Sequence, residues 1–201
     1  MTAPLPEAAR RVLDFWFDTP GSAGWNTTRP AWFIKSDEFD AQIRHQFLAD
    51  WQAAQAAISG ATDDWSATPG GACARVVLLD QFPRNMFRND PRSFTTDAQA
   101  LALAKRMVAT GMDRALPTDH HRMFCYMPFE HSEVLEDQDE AVRLMTQLRQ
   151  ASGGKVDVVE WADKHRVIIA RYGRFPHRNA VLGRQSTEQE LAFLRQPGSS
   201  F

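Results

Sequence analysis

Apolar positions recur at helical spacing along nearly the whole chain. Phe39, Ile43, Phe47, Trp51 and Ile58 follow at steps of four, four, four and seven, which lines one face of a helix beginning near Ser36 and ending by Gly60. Thr96-x-x-Gln99 is a capping-box pattern ahead of Leu101, Ala104 and Val108, and Gly111 can close that helix. Ser132, with Glu133 in the first turn, opens a third helix through Leu135, Gln138, Val142, Met145 and Leu148 that Ser152-Gly153-Gly154 ends. Ser186-x-x-Gln189 and Thr187-x-x-Glu190 both suit a short terminal helix carrying Leu191 and Leu194, and residues 196–201 are expected to fray. Further helices are predicted over about 6–18, 70–82, 119–131 and 157–175. The runs Val76-Val77-Leu78-Leu79 and Val167-Ile168-Ile169 suit strands in isolation, but each lies in a longer window of helical period.

These elements predict an all-α fold, a single domain over residues 1–201 built of about seven or eight antiparallel helices. Ser59 to Gly71, rich in Gly, Ser, Thr and Asp, reads as a loop. No repeat of fixed period is present, which favours a closed bundle over an extended solenoid. A chain of 201 residues with 43% hydrophobic positions, six Trp and 13 Phe can fill one core. Its longest apolar runs fall far short of the ~20 residues that span a bilayer, and the opening Met-Thr-Ala-Pro-Leu-Pro-Glu lacks a basic region followed by an apolar stretch. A cytoplasmic location is therefore expected, with Cys73 and Cys125 as free, buried thiols. A net charge of −2 argues against nucleic acid or an anionic membrane as the partner.

Two segments carry more polar groups than plain helix ends need. In Leu79-Asp80-Gln81-Phe82-Pro83-Arg84-Asn85-Met86-Phe87-Arg88, Asp80 falls on or beside the buried face and needs a partner. Pro83 is expected to break the helix, leaving Arg84 and Asn85 on the following turn. In Arg171-Tyr172-Gly173-Arg174-Phe175-Pro176-His177-Arg178-Asn179, Phe-Pro is again followed by Arg and Asn. Between them Arg122, Tyr126 and Glu130 recur every four residues, and His131 follows a break expected at Pro128. His165 lies in an apolar stripe with Trp161, Ile168 and Tyr172, where a hydrogen-bonded core histidine competes with a functional one.

The six histidines show neither His-x-x-x-His nor His-Glu-x-x-His spacing, and phosphate-loop, dinucleotide and Gly-x-Ser-x-Gly motifs are absent. No metal or cofactor is expected. Arginine forks suit carboxylate or phosphate, and Arg171, Arg174, Arg178 and Arg184 concentrate four of them in a short stretch. The alternative for these residues is an inter-helix network in which Asp80, Glu130 and Glu133 pair with the arginines.

Leu-Leu-Asp-Gln-Phe-Pro-Arg-Asn-Met-Phe-Arg (78–88), Tyr-Met-Pro-Phe-Glu-His-Ser-Glu (126–133) and Arg-Tyr-Gly-Arg-Phe-Pro-His-Arg-Asn (171–179) with Leu-Gly-Arg (182–184) resemble the bacterial domain of unknown function 924 family. Val-Leu-Asp-Phe-Trp-Phe (12–17) and Trp-Phe-Ile-Lys (32–35) look like its opening, so the resemblance spans about residues 10–195. It implies a tetratricopeptide-like helical domain and says little about activity. The expected function is a polar pocket for a small anionic ligand, with acid–base catalysis an option. Arg84, Arg122, Arg174 and Arg178 would clamp the anion, with Arg171 nearby. Asn85, Asn179, Tyr126 and His165 would line the pocket, Asp80 would orient a neighbour, and His131 and His177 would move protons with Glu130 setting a tautomer. The competing expectation is a module that grips a protein or peptide partner and uses the polar blocks as struts.

Overall fold

A computed structural model describes residues 4–56 and 64–199. Its framework is a helical rod buried on almost every side, which is how a helix with apolar residues all round must sit. The rod comprises α3 (Pro69–Val76), a π-helical turn (Val77–Gln81) and α4 (Phe82–Met86). Around it lie α1 (Glu7–Phe17), α2 (Asp37–Ala56), α5 (Asp97–Thr110), α6 (Asp119–Glu130), α7 (Leu135–Ala151) and α8 (Val159–Tyr172), with a short α9 (Glu188–Leu194) at the end. No strand occurs among the described residues, so the two apolar runs are helical as their longer windows predict. α1 packs on α3, α2 on α4, and α6, α7 and α8 pack in succession.

Small residues let the rod take this central place. Gly71 sits so close to the backbone that an added Cβ would lie 2.0 Å from the Trp65 carbonyl oxygen. The reading of Ser59 to Gly71 as one loop is corrected at its end, because α3 begins at Pro69 under a Thr68 cap; residues 57–63 lie outside the described residues. Phe82 enters the core just beyond the π-turn and meets Phe47 at 4.7 Å and Trp16 at 5.6 Å between ring centres, joining α1 and α2 to the rod. Trp16 continues the contact to Phe124 of α6 at 5.3 Å.

The break expected at Pro83 does not occur; the rod continues to Met86 and carries Arg84 and Asn85 on α4. Proline removes one N–H and so orphans the carbonyl of Leu79 four residues back. The Thr96 hydroxyl donates to that carbonyl at 2.5 Å and also accepts from the Trp51 indole N–H at 3.3 Å. The backbone widens to accommodate the proline, with the Phe82 N–H reaching the Val77 carbonyl five residues back. Thr96 is consequently not available as a side-chain cap for α5, which corrects the capping box read from Thr96 and Gln99, while Gly111 does close that helix in a left-handed conformation. Pro128 likewise fails to break its helix and lies inside the last turn of α6, which ends at Glu130. α7 starts at Leu135 rather than at Ser132, whose hydroxyl accepts from the Val134 amide and donates to Asp137. Of the two possible boxes near the C-terminus, the chain uses Thr187 and Glu190.

Thr96→Val should lower stability by about 2 kcal/mol, because it leaves a buried carbonyl and a buried indole N–H unsatisfied. The corresponding drop in Tm is roughly 4–8 °C for a chain of this size. Thr96→Ser, which keeps the hydroxyl, should recover most of that loss in the same thermal unfolding measurement.

Candidate functional site

The π-turn points Asp80 away from the aromatic core and toward the C-terminal end of α6. Its carboxyl is wholly buried. Oδ1 lies 2.7 Å from His131 Nδ1, and Oδ2 accepts from the Gln81 side-chain amide at 2.5 Å. Arg84 stands 3.4 Å from Oδ1 and donates to the Asp80 backbone carbonyl at 2.6 Å. Burial opposes ionisation of Asp80, but the adjacent His131 and the Arg84 guanidinium, with the side-chain hydrogen bonds from His131 and Gln81, outweigh it and hold the carboxyl at about 2. An ionised carboxylate only accepts, so the proton of this bond sits on His131 Nδ1 and the tautomer is fixed. Burial and the neighbouring Arg84 push the His131 imidazole below its ordinary value, against the pull of Asp80. The imidazole is thus neutral at neutral pH and 11% exposed, and Nδ1 is the nitrogen engaged among the described residues.

Glu130 precedes His131 and is buried beside the same centre. Desolvation, followed by the charge of Asp80, raises its carboxyl to about 8. Oε2 stands 3.8 Å from His165 Nδ1, and Oε1 is buried with no hydrogen-bond partner among the described residues. His165 is bound through Nδ1 to the Trp161 carbonyl at 2.8 Å, and burial depresses its pKa to about 3. It therefore combines both expectations, as a hydrogen-bonded core histidine that also borders the polar centre.

The arginines enter from two sides. Arg84 forms a two-pronged pair with Asp97, the first residue of α5, at 2.8 and 2.9 Å. Arg178 donates to the His131 backbone carbonyl at 3.0 Å and lies 3.6 Å from the same Asp97 carboxylate. Its guanidinium is held against Phe175 at 4.4 Å and Phe94 at 4.8 Å, and burial, with Arg84 nearby, lowers its pKa to about 10. His177 packs against Phe175 at 5.6 Å between ring centres, and burial first, then Arg178, lowers it to about 4. Glu133 fixes this segment to the link between α6 and α7 by accepting from the Phe175 amide at 2.8 Å and from Arg184 at 2.6 and 2.9 Å.

The three polar blocks therefore meet, at Asp80, Arg84, Glu130, His131 and Arg178, with His165 of α8 beside them and His177 at the edge. Other candidate residues lie elsewhere. Asn85 donates to Asp40 at 2.8 Å and joins α4 to α2. Tyr126 donates to Asp113 at 2.6 Å, with Arg122 3.4 Å from its hydroxyl, on a separate face of α6. Arg174 pairs with Glu190 at 2.6 and 2.8 Å and so ties the end of α8 to the cap of α9. Arg171 covers the Tyr172 ring at 4.9 Å beside a groove of about 370 Å³, and buried Asn179 is held by Ser186 and Arg184. Sequence reasoning missed Asp97 and Phe94. Their stretch Ser-Phe-Thr-Thr-Asp reads as an ordinary helix start, and no local signal marks a carboxylate that serves two distant arginines. No group of three or more His, Cys, Asp or Glu side chains suited to a metal occurs among the described residues. Chemically, the centre offers an imidazole of fixed tautomer, a carboxyl that is protonated at neutral pH, and two arginines.

These environments set opposing pH dependences. Glu130, raised from 4.5 to about 8, binds a proton in the folded state that the unfolded chain releases, so stability falls as pH rises from about 4.5 to 8. His121, His165 and His177, depressed from 6.5 to about 3, 3 and 4, contribute stability that is lost as pH falls below about 6.5. Three histidines outweigh one carboxyl on the acid side, so Tm measured across pH 4–9 should peak near 6.5. Glu130→Gln should flatten the decline between 6.5 and 8 and leave the acid limb in place.

The chain matches the family of bacterial proteins of unknown function, DUF924, over residues 12–198. It is also similar to the solved structure of a protein of unknown function from Agrobacterium tumefaciens, at 33% identity and a TM-score of 0.76, covering 93% of this chain and 96% of that one. No curated protein matches it. With the three blocks that form the polar centre all inside the matched region, the chain belongs to the DUF924 family.

Proposed function

We propose that the Asp80–His131 centre is a site for a small anionic ligand, with His131 Nε2 as an acid–base group. The observation that carries this reading is the wholly buried Asp80 carboxylate fixed to His131 Nδ1 at 2.7 Å on a π-turn. An orienting carboxylate leaves the second ring nitrogen to exchange a proton with a bound molecule. Arg84 and Arg178 supply positive charge, and Glu130, protonated at neutral pH, holds a proton at the same centre, next to His165. Carboxyls held far apart in pKa, here Asp80 and Glu130, are the arrangement by which one site separates charged and proton-donating roles. A cytoplasmic setting fits the two buried free thiols, Cys73 and Cys125. No described helix is long and apolar enough to cross a membrane.

A second reading, a protein- or peptide-binding module with the polar blocks as struts, draws support from the two-pronged pairs Arg84–Asp97, Arg174–Glu190 and Arg184–Glu133. A groove of about 590 Å³ beside the exposed Trp161 of α8 is the surface it would use.

A thermal-shift screen against phosphates, sugar phosphates, nucleotides and carboxylates separates the two. A ligand at 100 times its Kd adds about 2.7 kcal/mol, or roughly 5–10 °C here. The shift should vanish in His131→Gln and persist in Arg174→Ala, whose partner Glu190 lies away from the centre. No shift for any anion class, or equal loss in both variants, would favour the module.

A further inference from the structure

Two arginines and two carboxylates balance at this centre, and the two carboxylates are not equivalent. Asp80 is wholly enclosed and bound to His131, Gln81 and Arg84, whereas Asp97 keeps 20% of its side chain exposed and, among the described residues, pairs through its carboxylate with the arginines. A further anion brought against Arg84 and Arg178 with both carboxylates in place would leave an excess negative charge in a poorly solvated position. Binding therefore requires one of them to leave, and only Asp97 has a path to water. On the reading that this centre binds an anion, we infer that Asp97 is an internal stand-in for the ligand: a carboxylate-bearing molecule takes the two-pronged seat on Arg84 as Asp97 swings out.

The seat itself names the chemistry. Arg84 presents a planar fork that Asp97 fills with both oxygens, and Arg178 approaches one of those oxygens from the side. Both guanidiniums lie against the Phe94 ring, at 5.8 and 4.8 Å, so the fork is ordered by packing as well as by Asp97. Arg178 is more than nine-tenths buried, and its Nε is enclosed without a partner among the described residues, an unmet donor next to the seat. A flat carboxylate fits this fork as Asp97 does. The displaced side chain also has somewhere to go. Asp97 is the first residue of α5, and Thr96, committed to Leu79, gives that helix end no side-chain cap. A released Asp97 carboxylate can turn to its own helix N-terminus, where negative charge is favoured. The two positions of Asp97 make the seat a two-state element that the ligand biases.

The test uses the full chain and succinate as probe, at constant ionic strength, with inorganic phosphate as comparison. Binding is followed by the arginine Nε–H signals in NMR. Asp97→Asn should bind succinate at least tenfold more tightly than the native chain, and the gain should disappear in Arg84→Ala/Asp97→Asn. In the native chain, succinate should also move the ¹³C signal of the Asp97 carboxyl, which tests displacement even if Asp97→Asn does not fold. Unchanged or weaker succinate binding in a folded Asp97→Asn, a gain that survives loss of Arg84, a gain for phosphate only, or a static Asp97 carboxyl at saturation would each overturn the inference. Native succinate binding that depends on His131 but is not enhanced by Asp97→Asn would sink the inference alone. Absence of succinate binding in both chains would sink the inference, and absence of phosphate binding as well, with no shift in the wider anion screen, would sink the ligand-site reading with it.

Discussion

A carboxylate enclosed at the middle of a helical protein is expensive, by several kcal/mol, unless charge and hydrogen bonds surround it. Asp80 is such a group, and much of the surrounding architecture answers its demands. His131 and Gln81 satisfy its two oxygens, and Arg84 supplies a charge beside one of them. Arg84 in turn needs Asp97, which brings in the start of α5, and Arg178 closes the arrangement from the last third of the chain. The partners come from the rod itself, the end of α6, the start of α5 and the segment after α8, so one buried charge ties together four parts of the fold.

The π-turn is the backbone's share of the same solution. A regular helix running into Pro83 would have to break or lose a bond, and widening the turn lets the rod continue while Asp80 and Phe82 face different neighbours. The carbonyl that Pro83 leaves open at Leu79 is closed by Thr96 from outside the rod, and Arg84 adds a side-chain bond to the Asp80 carbonyl from within it. Proline at the heart of a helix is tolerated here because those acceptors are met elsewhere, which is also why Thr96 forfeits its role at the head of α5.

Helical periodicity made the fold legible: the stripe from Phe39 to Trp51, Gly111 and the Ser152-Gly153-Gly154 stop all lie where apolar spacing and turn chemistry put them. Local rules failed at Pro83, Pro128 and Thr96, where a distant side chain or a late helical turn overrides the local preference. At the site, Asp80 stood out because an acid on an apolar face requires a partner, and the polar blocks did converge on it. Asn85, Arg122, Tyr126 and Arg174 carry the same residue chemistry into separate struts. Which arginine faces Asp80 and which faces Glu190 depends on helix packing that residue type and spacing do not encode. Asp97 was invisible for the same reason.

The segment carrying Arg178 is held chiefly by side chains. Glu133 grips the Phe175 amide and Arg184, and Arg184 grips Asn179 and the Phe175 carbonyl, in place of a long helix with its own backbone ladder. The segment's own backbone bonds are short-range turns, such as Arg178 N–H to the Phe175 carbonyl, so these side chains offset the entropy of closing the loop from residue 131 to 178. The polar centre is accordingly complete only when the chain's last third lies against the end of α6 and the start of α5. An intact Arg84–Asp97–Arg178 cluster is therefore a signature that stretches of chain nearly a hundred residues apart, from 84 to 178, have been joined.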